Sequence, residues 1–133
     1  QTHLPLCPPG VTGSEKKGGV ESLIEQWPAP LGLANWTFQT TFDGGVKEQA
    51  SCIADPEYRN AKLNFNLRRI GPHEIEELVC HELLHCHGWA LAACAFKWAA
   101  NDGTKREIVR QAEELLTTAV SRAFLPLLSK VVT

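Results

Sequence analysis

Several absences narrow what this chain can be. It contains no methionine and begins at Gln1, so its natural start is expected to lie outside these 133 residues. Its five cysteines, Cys7, Cys52, Cys80, Cys86 and Cys94, include no C-x-x-C pair, so a tetrahedral thiolate zinc site is not signalled. Their odd number and irregular spacing point to free thiols and a reducing compartment. No apolar run approaches the roughly 18 to 20 residues that cross a bilayer. A charged segment followed by an apolar stretch is also missing from the start, so the expected location is cytoplasmic. Thirteen basic residues face fifteen acidic ones, for a formal charge of -2. Without a basic field, neither nucleic acid nor an anionic membrane is an expected partner.

What remains suits one small domain with an ordinary core, at 44% hydrophobic residues. Residues 1–19 are rich in proline and glycine and read as an irregular N-terminal arm, with residues 20–133 as the single domain. Val20, Leu23, Ile24 and Trp27 share a face of a short helix that Pro28 and Pro30 end. Trp36 to Phe42 alternates as a half-buried strand; Ala50 to Ala54 and Ala61 to Leu67 read as two more. Short turns between them favour an antiparallel meander. After Gly71-Pro72 the period becomes helical, with Glu74, Glu76 and Glu77 at the positive end of the helix dipole. The helix runs to about His87 or Gly88, and an alanine-rich segment from Trp89 to Ala100 continues in helical form. Asn101-Asp102-Gly103 breaks the chain. Thr104 with Glu107 three residues on forms a capping box for a last helix from Lys105 to about Phe124. Strands first and helices after give an α+β fold: a small antiparallel sheet, a long helix, then C-terminal helices.

The chemistry is concentrated in His81-Glu82-Leu83-Leu84-His85, an H-E-x-x-H pattern on a segment read independently as helix. Residues four apart stack one turn above each other, so both imidazoles can reach one ion about 2.0 to 2.1 Å away. Zn2+ is the expected cofactor. Glu82 projects from the neighbouring flank, where it can take a proton from a water acidified by the metal. Leu78, Val79, Leu83 and Leu84 bury this helix, which sets it apart from a charged surface helix carrying two unrelated histidines.

A catalytic zinc needs a third protein ligand and an open position. Gly88 fits H-E-x-x-H-x-x-G-x-x-H, but Leu91 stands where that pattern has its third histidine. With no methionine for a Met-turn, the metzincin pattern fails. On the last helix, Ile108, Ala112, Leu115, Leu116, Ala119, Ala123 and Leu127 define an apolar face expected to be buried. Glu113 sits at its edge and is the expected third ligand; Glu114 takes its place if the helix is one residue out of phase. His87 points away from the pair, His3 and His73 read as incidental, and Asp102 as a turn residue.

These residues resemble the gluzincin metallopeptidases, in their minimal single-domain microbial and phage form. The resemblance covers Trp36 to about Leu128: Trp36-Thr37-Phe38-Gln39-Thr40, the stretch Asp55 to Leu63, the HELLH helix, and Ala112-Glu113-Glu114-Leu115. Only HELLH is specific. The resemblance implies a zinc-dependent peptidase acting on a protein or peptide. His81, His85 and Glu113 would be its ligands and Glu82 its general base, and Ala61 to Leu67 or a neighbour would be the edge strand that pairs with substrate. Larger members add a later tyrosine or histidine to stabilise the oxyanion. None follows His87 here, leaving Tyr58 or Arg69 as substitutes. Gln49-Ala50-Ser51-Cys52-Ile53 is similar to the cysteine-ligand loop of peptide deformylases, which makes Cys52 the alternative ligand for an amidohydrolase. A protein-binding or regulatory domain holding zinc for folding is the third reading.

Overall fold

A computed structural model of the chain describes residues 12–131. His3, Cys7 and most of the proposed arm lie outside the described residues. The rest of that arm is helical: α1 spans Gly13–Gln26. Thr12 caps it, its hydroxyl accepting from the Glu15 N–H at 3.1 Å, and this outweighs the low helix propensity of Gly13, Gly18 and Gly19. Val20, Leu23 and Trp27 carry α1 into the core.

Three strands follow: β1 Thr37–Thr41, β2 Ala50–Asp55 and β3 Asn60–Phe65. Their spatial order is β1-β3-β2. β2 and β3 pair antiparallel as expected, with Cys52 opposite Leu63, but β1 and β3 are parallel, with Thr40 opposite Leu63. The sheet is therefore mixed rather than an antiparallel meander. The link over residues 42–49 carries the chain across a strand's width, so β2 starts one position away from β1 and β3 fills the gap. Side chains on and just after β3 secure this crossover. Asn64 Oδ1 accepts from the Asp43 N–H and the Thr41 hydroxyl, and Asn66 Nδ2 donates to the Val46 carbonyl at 2.7 Å.

β3 ends two residues before its expected limit. Asn66 turns its side chain to the Arg68 N–H and caps a 3-10 turn over Leu67–Arg69. Ala61, Leu63 and Phe65 are buried at alternate positions of β3. They meet Val20, Trp27 and Leu33 on one side of the chain and Val79, Leu83 and Cys86 on another, in a single core.

The long helix α2 runs unbroken over Ile75–Ala99, after a 3-10 turn at Pro72–Glu74. The two helical segments expected from Pro72 to Ala100 are thus one. α3 spans Gly103–Val131. Its N-cap is Asp102, whose carboxylate accepts from the Lys105 N–H at 3.1 Å, in place of the expected Thr104. α2 and α3 lie side by side as a hairpin, while β2 and α1 also pack against α2.

The expected burial of α3 is overturned. Leu115 is 72% exposed, Leu127 56% and Ile108 55%, and Ala112, Leu116, Ala119 and Ala123 are exposed with them. The face turned inward carries Val109, Thr117, Ser121 and Leu128, with Glu113 partly buried among them. An apolar stripe shows that a helix has a dry side, but does not say which neighbour covers it.

Candidate metal centre

α2 presents His81 and His85 one turn apart, their rings edge to face with centroids 4.7 Å apart. α3 brings two adjacent carboxylates to them. Glu114 Oε1 lies 2.7 Å from His81 Nε2, and Glu114 Oε2 lies 3.4 Å from His85 Nε2. His81, His85 and Glu114 thus form a group that could hold a metal ion, one donor atom of each lying within 4.8 Å of the others.

Glu113 does not join that group. Its Oε2 lies 2.7 Å from the other ring nitrogen of His85, Nδ1, and accepts from the Thr117 hydroxyl at 2.8 Å. Within the candidate group the third donor is Glu114, while Glu113 lies behind His85. One residue rotates a helix by about 100°, so the two adjacent carboxylates meet different sides of the His85 ring. The arrangement around His85 has a chemical consequence. A carboxylate on Nδ1 holds the proton there, leaving Nε2 free as the donor toward a metal.

Gly88 makes room for this carboxylate. It is one turn beyond Leu84 on α2, and a Cβ there would overlap the Glu113 carboxylate. The glycine that failed as part of a metzincin pattern is therefore explained by the close approach of α3.

Glu82 is 4% exposed, and its Oε1 has no hydrogen-bond partner among the described residues. Burial pushes its carboxyl up to about 7; His85 opposes the shift, and the charges of Glu114 and Glu113 add to it. Glu82 is thus a dry carboxyl beside the group of candidate metal donors. Two imidazole nitrogens and one carboxylate are a donor set that could hold a divalent cation.

Beside these residues lies a cavity of about 200 Å³, lined by Gln49, Ala50, Leu78, His81, Glu82 and Arg122 among others. Arg122 is the residue the sequence reading missed. It lies two turns beyond Glu114 on the same helix, a spacing that would have flagged it once Glu114 was placed. Tyr58 is 71% exposed in the turn between β2 and β3, and Arg69 lines a different cavity with Lys16 and His73. Neither is placed to act at this site.

Cys52 is also outside the donor group. Its thiol meets that of Cys86, and this contact first, then burial and the nearby carboxylates of Glu82 and Glu113, pushes it far above the ordinary thiol range. His87 donates from Nε2 to the Leu31 carbonyl at 2.6 Å and ties α2 to the loop before β1. His73 is exposed. Asp102 caps α3.

β3, expected at the substrate edge, is the central strand. Its neighbour β2 has no partner on its outer edge among the described residues and packs against α2, with Ala50 at the cavity. No family model, curated protein or solved structure matches this chain.

Proposed function

We propose that this protein is a zinc-dependent metallopeptidase, with His81, His85 and Glu114 as metal ligands and Glu82 as general base. The observation that carries the reading is Glu82: a buried, unpartnered carboxylate next to two histidines and a glutamate converging from two helices. A site that only stabilised the fold would have no use for an unsatisfied acid in that position.

When bound, zinc would polarise the scissile carbonyl and lower the pKa of a water toward about 7. Glu82 would take a proton from the attacking water and return it to the departing amine nitrogen. Glu113 keeps the His85 proton on Nδ1, while Thr117 holds the Glu113 carboxylate in place. An extended peptide lies along the free edge of β2, exchanging main-chain hydrogen bonds with it. Arg122, which lines the cavity with His81 and Glu82, takes the part in oxyanion stabilisation that a later tyrosine or histidine plays in larger gluzincins.

The test pairs two readouts on Glu82→Gln: zinc per chain by elemental analysis, and cleavage of a library of quenched fluorescent peptides. The expected result is an unchanged zinc content with hydrolysis reduced by at least about 10²-fold. Undiminished hydrolysis in the variant, or none by zinc-loaded wild type, overturns the assignment. Arg122→Ala is expected to lower kcat by roughly 10²-fold at constant zinc content; an unchanged kcat removes Arg122 from the mechanism.

A further inference from the structure

The helical hairpin continues past the candidate metal centre with little to cover it among the described residues. Beyond Gly88, the buried residues Ala92 and Ala99 of α2 cluster with Val109 of α3 apart from the main core, supported by Trp89, Ala95 and Phe96. Outside this small cluster the hairpin exposes Leu91, Trp98, Ile108, Leu115, Leu116 and Leu127, at 49 to 72% of their surface. Several of them line an apolar groove of about 220 Å³ between the two helices. Ala112, Ala119 and Ala123 fill the stripe between the larger side chains of α3.

The size of this surface suggests its occupant. Taking roughly 200 Å² for each large residue as a whole, within the range for aromatic side chains, the exposures of these six sum to on the order of 700 Å². A typical monomer's largest apolar patch is about 300–600 Å², whereas one side of a stable interface needs about 800 Å². Two helices with a shared apolar side are half of a four-helix bundle, and a second identical hairpin related by a twofold axis completes it. A formal charge of only -2 per chain offers little repulsion between two copies.

We infer that the protein is a homodimer joined through the α2–α3 hairpin, with Leu91, Trp98, Ile108, Leu115 and Leu116 in the shared core. The metal centre stays open in this assembly. Taking about 100° per residue, Glu114 projects some 160° away from the middle of the apolar stripe of α3. Dimerisation is therefore separable from metal binding and from peptidase activity.

Sedimentation equilibrium of the zinc-loaded protein from about 1 to 100 µM tests this, with Leu91→Glu on α2 and Leu115→Glu on α3 as separate variants. Both positions are exposed within a single chain, so each variant is expected to keep its far-UV circular dichroism and zinc content. The wild type is expected to sediment at twice the chain mass. Each variant should weaken association at least about 100-fold, whereas Lys62→Glu on the sheet should not. A wild type that is monomeric throughout this range, or variants that dimerise as tightly as the wild type, overturns the inference.

Discussion

Gly88 and Glu113 compete for one small volume between α2 and α3, which makes the glycine a sensitive probe of the centre. Gly88→Ala removes a glycine from mid-helix, worth about 0.5–1 kcal/mol in favour of the helix, yet it displaces the carboxylate that orients His85. Zinc affinity is expected to fall about 10- to 100-fold, as for loss of any carboxylate behind a ligating histidine. Thermal melting with and without zinc checks this: the metal-free variant should melt no lower than wild type and gain less from zinc. Glu113→Gln should give the same affinity loss, and Glu114→Ala a larger one. At this scale the sequence was partly legible. His81, Glu82 and His85 could be read because their relation is local, one turn of one helix. Whether Glu113 or Glu114 completes the group depends on the phase of a second helix, and that phase was inferred from apolar residues which face outward.

Among the elements, the entry to α2 shows how local polar contacts set the site's position. Glu74 accepts from the Gly71 N–H at 2.8 Å, and Gln49 donates toward the same carboxylate, joining the segment before β2 to the start of the helix. These contacts, the Gly71 N–H first, hold the Glu74 carboxyl below its ordinary value of 4.5. Since the folded-state pKa is the lower one, the stabilisation is present above the unfolded value and is lost as pH falls through the folded value. Melting curves of wild type and Glu74→Gln should differ at pH 7 and converge in acid; a difference that persists unchanged would contradict the linkage. At the start of α3, Asp102→Ala should cost about 1 kcal/mol in chemical denaturation. Elements with strong period or punctuation, such as β3 and α2, were legible from the chain. The parallel pairing of β1 with β3 was not, because it follows from the path of residues 42–49, and turn residues such as Asp43, Gly44 and Gly45 mark a change of direction without stating how far the chain travels.

For the molecule as a whole, the α+β layout places the centre where the sheet edge, α2 and α3 meet, so a bound cation would join both helices of the hairpin. Chelation is therefore expected to lower the melting temperature and zinc to restore it, by an amount that rises with free zinc concentration. No helix among the described residues is long and apolar enough to cross a membrane, and the apolar surface that exists lies along the hairpin instead. The proposed activity depends on metal donors at His81, His85 and Glu114. X-ray absorption at the zinc edge of the purified protein tests that most directly. The prediction is a first shell of nitrogen and oxygen alone, at about 2.0–2.2 Å, with imidazole scattering from two histidines. A sulfur neighbour at about 2.3 Å, or a purified protein that retains no zinc, would contradict it.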